Sequence, residues 1–214
     1  MNRYSVIFVR LFLLVLCLTD LVILGQRLRP WSGIIEMPAE STSAFDPLIC
    51  LAVYTVVLFW GAGIRSEGFR KAVRISTLLG AAGGLLMLGH ILLPSLDGRR
   101  YVLLHIGLLL AASVLWTAAC ILGSKAAGHF GVGIVSGIWS AMVSALIASA
   151  RILWVMSPNA ADPPTHNNSV LSLVLSSPAA LSVPQGLTAT TGFLLICPLA
   201  GLALGFICAL GSER

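Results

Sequence analysis

Six stretches of this chain stay apolar for about the 20 residues that a helix needs to cross a bilayer. They are residues 5–25, 47–64, 75–93, 101–123, 130–156 and 189–210. Hydrocarbon offers no partner to a backbone N–H or C=O. A segment lying in it must close its hydrogen bonds internally, and an α-helix does so. Composition points the same way. Of 214 residues, 10 % are charged and 57 % hydrophobic, with mean hydropathy +0.97. A soluble domain carries about 25 % charged residues. The expected fold is an all-α, polytopic membrane bundle of about six helices, one transmembrane domain over 1–214. Its outer loops are 26–46 and 157–188.

Several helix ends are written in the sequence. Asp46-Pro47 reads as an N-cap with Pro at the first helical position. Pro94 closes the third helix, and Asp97-Gly98 turns into the fourth. Pro198, inside the last helix, lacks the N–H that would bond the carbonyl of Leu194, so a kink is expected there. The first run is expected to be an uncleaved anchor, since no small-x-small cleavage site follows it. The stretch 170–187 is apolar but short and broken by Pro178 and Pro184. It reads as surface-lying or re-entrant.

Lys and Arg set the orientation. With the N-terminus inside, the inner side holds Arg3, Arg10, Arg65, Arg70, Lys71, Arg74, Lys125 and Arg214. The outer side holds Arg27, Arg29, Arg99, Arg100 and Arg151. The cluster at 65–74 tips the balance inward. These charges sit in short groups between apolar runs, so the net +5 indicates juxtamembrane anchoring and not nucleic-acid binding. The five cysteines (Cys17, Cys50, Cys120, Cys197, Cys208) fall inside apolar runs with no CxxC spacing, and read as small buried hydrophobes.

The fifth run, GVGIVSGIWSAMVSALIASAR, is dominated by small side chains. On a helix at about 100° per residue, Gly133, Ser136, Gly137, Ser140, Ser144 and Ala148 share one side with Arg151. Val135, Ile138, Trp139, Met142 and Leu146 gather opposite. A small stripe lets helices approach closely, and Ser can hydrogen-bond across the contact. This helix should be central, with its bulky side towards lipid or looser neighbours. Arg151 then points inward, at a depth matching Asp20 on the first helix. His90 and His105 flank the Asp97-Gly98 turn at similar distances, so a hairpin of helices sets them level. Asp20, Arg151, His90 and His105 thus form a candidate polar layer. Intramembrane ionisable residues are costly and suggest function. Each also has a plainer role. Arg151 reaches for headgroups with Trp154 as interfacial belt, Asp20 pairs locally, and the histidines pack with a hydrogen bond.

No HExxH, GxSxG, paired-carboxylate motif or P-loop occurs, so no catalytic residue is assigned and the chain leans away from an enzyme. The favoured function is a non-enzymatic subunit, assembly factor or scaffold, in contact with lipid and with other membrane protein subunits. The bacterial inner membrane is the expected site. One alternative is a small carrier or flippase-like protein using the polar layer. Another binds haem or a metal through His90 and His105, imidazole suiting both. LHIGLLLAASVLW (104–116) and GIVSGIWSA (133–141) resemble short pieces of the haem-handling cytochrome c assembly membrane proteins. The likeness is confined to those pieces, and that family's Trp-rich haem-binding segment is missing. What it implies is haem at His105.

The orientation is checked with single cysteines placed across 65–74 in a cysteine-free chain. A membrane-impermeant maleimide should label them only from the inner side. Labelling from outside would invert the threading.

Overall fold

The computed structural model describes residues 3–28, 45–61, 66–92, 98–156 and 182–212. They form six helices: α1 (Arg3–Leu28), α2 (Phe45–Gly61), α3 (Glu67–Leu92), α4 (Gly98–Ala127), α5 (Phe130–Val155) and α6 (Val183–Ser212). Five are long and apolar enough to cross a membrane. α2, with 17 described residues, is shorter. It spans about 25 Å of a hydrocarbon core about 30 Å thick. The protein is an integral, multi-pass helical bundle whose outward side chains are apolar, among them Phe8, Val15, Val53, Leu110, Leu195 and Phe206.

Several helices outrun their apolar stretches. α3 begins at Glu67, so Arg70, Lys71 and Arg74 ride on its first turns and not on a loop. α4 begins at Gly98 and runs to Ala127. α6 begins at Val183, so residues 183–187 belong to it; the remainder of 170–187 except Ser182 lies outside the described residues, as do Pro94 and Asp97. α2 begins at Phe45, which places Asp46 in its first turn and not at the cap. A carboxylate there still faces the positive end of the helix dipole. The physical reason is common to all four cases. Hydropathy marks the part of a helix inside lipid, whereas the backbone continues wherever interfacial residues tolerate helical geometry.

The α4–α5 connection is only Gly128 and His129. Gly128 takes φ +63°, a left-handed conformation that ends α4 without a Cβ penalty. His129 caps α5, its Nδ1 accepting from the N–H of Gly131 at 3.2 Å.

Contacts fix the helix directions. Along α5, Trp139 meets Thr77, Ser144 meets Gly80, and Ile147 would meet a Cβ on Gly84, so α3 runs parallel to α5. Asp20 with Ser149 and Arg27 with Trp154 make α1 parallel as well. Trp116 bonds Ser144 whereas Gly123 abuts Ser136, so α4 is antiparallel. Gly201 against Ala141 and Gly186 against Met156 make α6 antiparallel. Arg10 lies over Phe59 and Cys17 near Thr55, which runs α2 against α1. Directions alternate along the chain, as successive crossings require.

α5 is the centre, with fifteen of its 26 residues buried. Gly133 and Gly137 lie against Cys120 on α4, Ser140 and Ser144 against Gly80 on α3, and Ala141 against Gly201 on α6. The opposite side is enclosed too. Trp139, Met142, Leu146 and Leu153 are buried, so of the two expected surroundings, lipid or looser neighbours, the bulky side takes the second; on this helix Phe130, Val135 and Trp154 are the well-exposed large side chains. α1 docks on that side, through Asp20 and Ser149.

At Gly80 an added Cβ would come within 2.5 Å of the Ser140 carbonyl oxygen and 2.9 Å of Val143. Backbone cannot yield as a flexible side chain can. Gly80→Val should therefore cost about 2–4 kcal/mol of stability. Gly89→Ala, where nothing lies within 4 Å, should be neutral or stabilising by about 0.5–1 kcal/mol. Unfolding in mixed micelles reads both.

Candidate functional site

Asp20 is the most confined ionisable residue described, with no exposed surface. Its position on α1 is eight residues before Leu28, about 12 Å along the axis. Ser149 of α5 donates to its Oδ2 at 2.7 Å. Oδ1 is enclosed and has no hydrogen-bond partner among the described residues. The walls are apolar or weakly polar: Leu24, Leu146 and Leu153 are fully buried, and Cys17 lies one turn away on α1. In such surroundings a carboxyl holds its place through directed hydrogen bonds, since water is excluded.

Of the expected polar layer, Asp20 and Arg151 do not share one centre. Ser149 and Arg151 are two positions apart, which is about 200° around the helix. Asp20 occupies the side of Ser149, whereas Arg151 is on the side of Gly133, Ser140 and Ser144, facing α3 and α4. No ion pair joins Asp20 and Arg151 among the described residues. Arg151 is half-buried, with an enclosed Nε lacking a hydrogen bond. His90 lies near the end of α3 and His105 in the second turn of α4, two helices that pack together; their side chains lie outside those described. Among the described residues no three His, Cys, Asp or Glu side chains cluster to hold a metal ion.

Arg27 was not singled out by the sequence, yet it closes the seam above Asp20. It follows Asp20 by seven positions and so shares its face. Its Nη2 donates to the carbonyl of Trp154 at 2.6 Å, and its guanidinium lies 5.7 Å from the Trp154 ring. Trp154 is in the last turn of α5, where carbonyls lack intrahelical partners and the dipole is negative. A cation is favoured there on both counts. Trp154 is thus tied to Arg27 of α1.

The helical stripe of α5 is bonded through Ser144. Its hydroxyl lies 2.8 Å from the Gly80 carbonyl and 3.0 Å from that of Ser140, and accepts from Trp116 Nε1 at 2.9 Å. Trp139 Nε1 donates to Thr77 at 3.0 Å. Ser140 is buried with its hydroxyl unpartnered, Ser136 fills the space beside Gly123, and Ala148 is fully buried.

α6 continues through Pro198. Pro198 leaves the carbonyl of Leu194 without its helical donor. Tyr54 of α2 fills the vacancy, its hydroxyl donating to Leu194 O at 2.5 Å. On the same helix Thr190 and Thr191 carry enclosed hydroxyls with no partner among the described residues. All five cysteines are free, and Cys17, Cys120 and Cys197 are buried.

Comparison with protein-family models, with curated proteins and with solved structures finds no match.

The Tyr54–Leu194 bond is testable through Pro198. Tyr54→Phe leaves a buried carbonyl unpaired and should cost about 1–3 kcal/mol. Pro198→Ala supplies an N–H that competes for the same carbonyl. In the double variant the Tyr54→Phe cost should shrink by about 1 kcal/mol, read as coupling in a double-mutant cycle of micellar unfolding. Strict additivity would refute the shared acceptor.

Proposed function

We propose that the chain is a non-enzymatic subunit, assembly factor or scaffold of a membrane complex. The observation that carries this reading is how the bundle uses its polar side chains. Thr77 with Trp139, Trp116 with Ser144, Tyr54 with Leu194 and Arg27 with Trp154 each join two helices. Polar groups used this way make a rigid frame, because each bond in a dry interior fixes a helix register. The sequence adds no catalytic motif. Contacts with other subunits then fall to the outward apolar faces and to the loops 26–46 and 157–188, most of whose residues lie outside those described. The bacterial inner membrane fits the Lys and Arg distribution.

A carrier is the second reading, and the buried Asp20–Ser149 pair favours it. Such a pair is unneeded for packing alone, and intramembrane carboxyls often mark ion pathways. The separation of Arg151 from Asp20 weighs against the two acting as one gate.

Native mass spectrometry of the tagged chain, extracted from its own membranes in mild detergent, tests the first reading. The expected species exceeds the 22.5 kDa chain by a second protein at fixed stoichiometry. That protein should fall in abundance when the chain is deleted. A particle made of this chain alone, together with solute flux in proteoliposomes that Asp20→Asn abolishes, would favour the carrier.

A further inference from the structure

Ser149 stands between two acceptors. Its Oγ lies 2.7 Å from Oδ2 of Asp20 and 2.9 Å from the carbonyl oxygen of Leu146, three residues back on α5. A hydroxyl has one proton to give and two lone pairs with which to accept. It cannot donate to both at once. With Asp20 ionised, Ser149 donates to Oδ2. With a proton on Oδ2, Asp20 donates to Ser149 Oγ, and Ser149 turns its own proton to Leu146. Both states are hydrogen-bonded with every heavy atom in place, and a rotation of one hydroxyl separates them.

We propose that Asp20 is a proton-exchange site within the bundle, with the Ser149 hydroxyl switching between Asp20 and Leu146 as the proton arrives and leaves. The O–H bond at Oδ2 forms and breaks, the proton is exchanged with water, and nothing is oxidised or reduced. The nearer water lies towards the Leu28 end of α1. Leu24 and Leu153, about one turn nearer that end on α1 and α5, are fully buried. Exchange therefore proceeds through local opening of this seam beneath the Arg27–Trp154 contact.

The neighbouring charges leave Asp20 to act alone. On α1, Cys17 is the titratable group beside it, while Arg10 lies over Phe59 and Arg27 over Trp154. On α5, Arg151 is turned to the other side. α2 contributes Asp46, Cys50 and Tyr54, the last bonded to Leu194. α3, which touches α1 slightly, carries Arg70, Lys71 and Arg74 in its first turns and His90 near its last. α6 packs on α5 at Gly137, Ala141 and Met156 and brings Thr190, Thr191 and Cys197. The contacts of Met156 with Gly186 and of Ala141 with Gly201 set Ser149 level with Phe193, so the unpartnered Thr190 and Thr191 hydroxyls fall close to the same layer.

This site does not depend on whether the chain is a subunit or a carrier, and its test can fail without touching that question. Dicyclohexylcarbodiimide enters bilayers and adds only to a protonated carboxyl, whose O–H adds across a C=N bond. The full chain in liposomes is treated across a pH series, and peptide mass spectrometry reads the adduct at Asp20. The adduct should form at low pH and fall about tenfold or more between pH 5 and pH 9. Ser149→Ala should move the pH of that loss by about one unit, and Ser149→Thr, which keeps the hydroxyl, should not. Absence of adduct at every pH, equal yield at both ends, or an unmoved profile in Ser149→Ala would each overturn the proposal. The profile of the unmodified chain is decisive even if a variant fails to fold.

Discussion

The bundle depends on the hydroxyl of Ser144. It accepts from Trp116 and sits within reach of the Gly80 and Ser140 carbonyls, so one oxygen joins α3, α4 and α5. It can do so only because Gly80 has no side chain. A Cβ there would strike the Ser140 carbonyl, and the two helices would stand apart. Between apolar helices in lipid there is no hydrophobic drive to associate, and close packing with interhelical hydrogen bonds takes its place. The small residues of α5 are therefore not filler. They bring backbones to within reach of a short polar side chain.

The same economy appears at Leu194. A proline in a membrane helix creates an unpartnered carbonyl, and in hydrocarbon that group costs more than it would in water. Tyr54 answers from another helix, so the defect in α6 becomes the joint between α2 and α6. Arg27 does likewise for the last turn of α5. In each case a backbone group that its own helix cannot satisfy recruits a neighbour.

Much of this was legible in the sequence, and the limit falls at a definite place. The apolar runs gave the crossings, because length and scarcity of charge are properties of one segment. The ends were blurred, because Glu67 to Arg74 are polar yet helical. The freed carbonyl of Leu194 was legible from Pro198; its donor lies 140 residues away and was not. A helical wheel assigned Arg151 to the small side of α5, and that side meets α3 and α4. It could not say that α1 would take the opposite side and bring Asp20 to Ser149. A wheel orders residues around one axis but is silent on which neighbour stands at each bearing. The signal that did exist was the spacing of Asp20, Leu24 and Arg27, one face of α1 carrying a carboxyl, a leucine and a cation.

The central place of α5 also bears on the order in which the protein comes into being. α1 packs on α2 and α3 on α4, while the two pairs touch each other only slightly, between α1 and α3. Everything else that unites them runs through α5 and α6. During synthesis the first four helices therefore reach the membrane as two separate pairs. Asp20 meanwhile waits for Ser149, and Gly80 for Ser144, residues more than 60 positions further along the chain. Nascent chains stalled before residue 130 would hold a carboxyl in lipid with no serine to receive it. Until the fifth helix follows, that carboxyl is cheapest when protonated or drawn towards the interface, because an unpaired charge in hydrocarbon is costly.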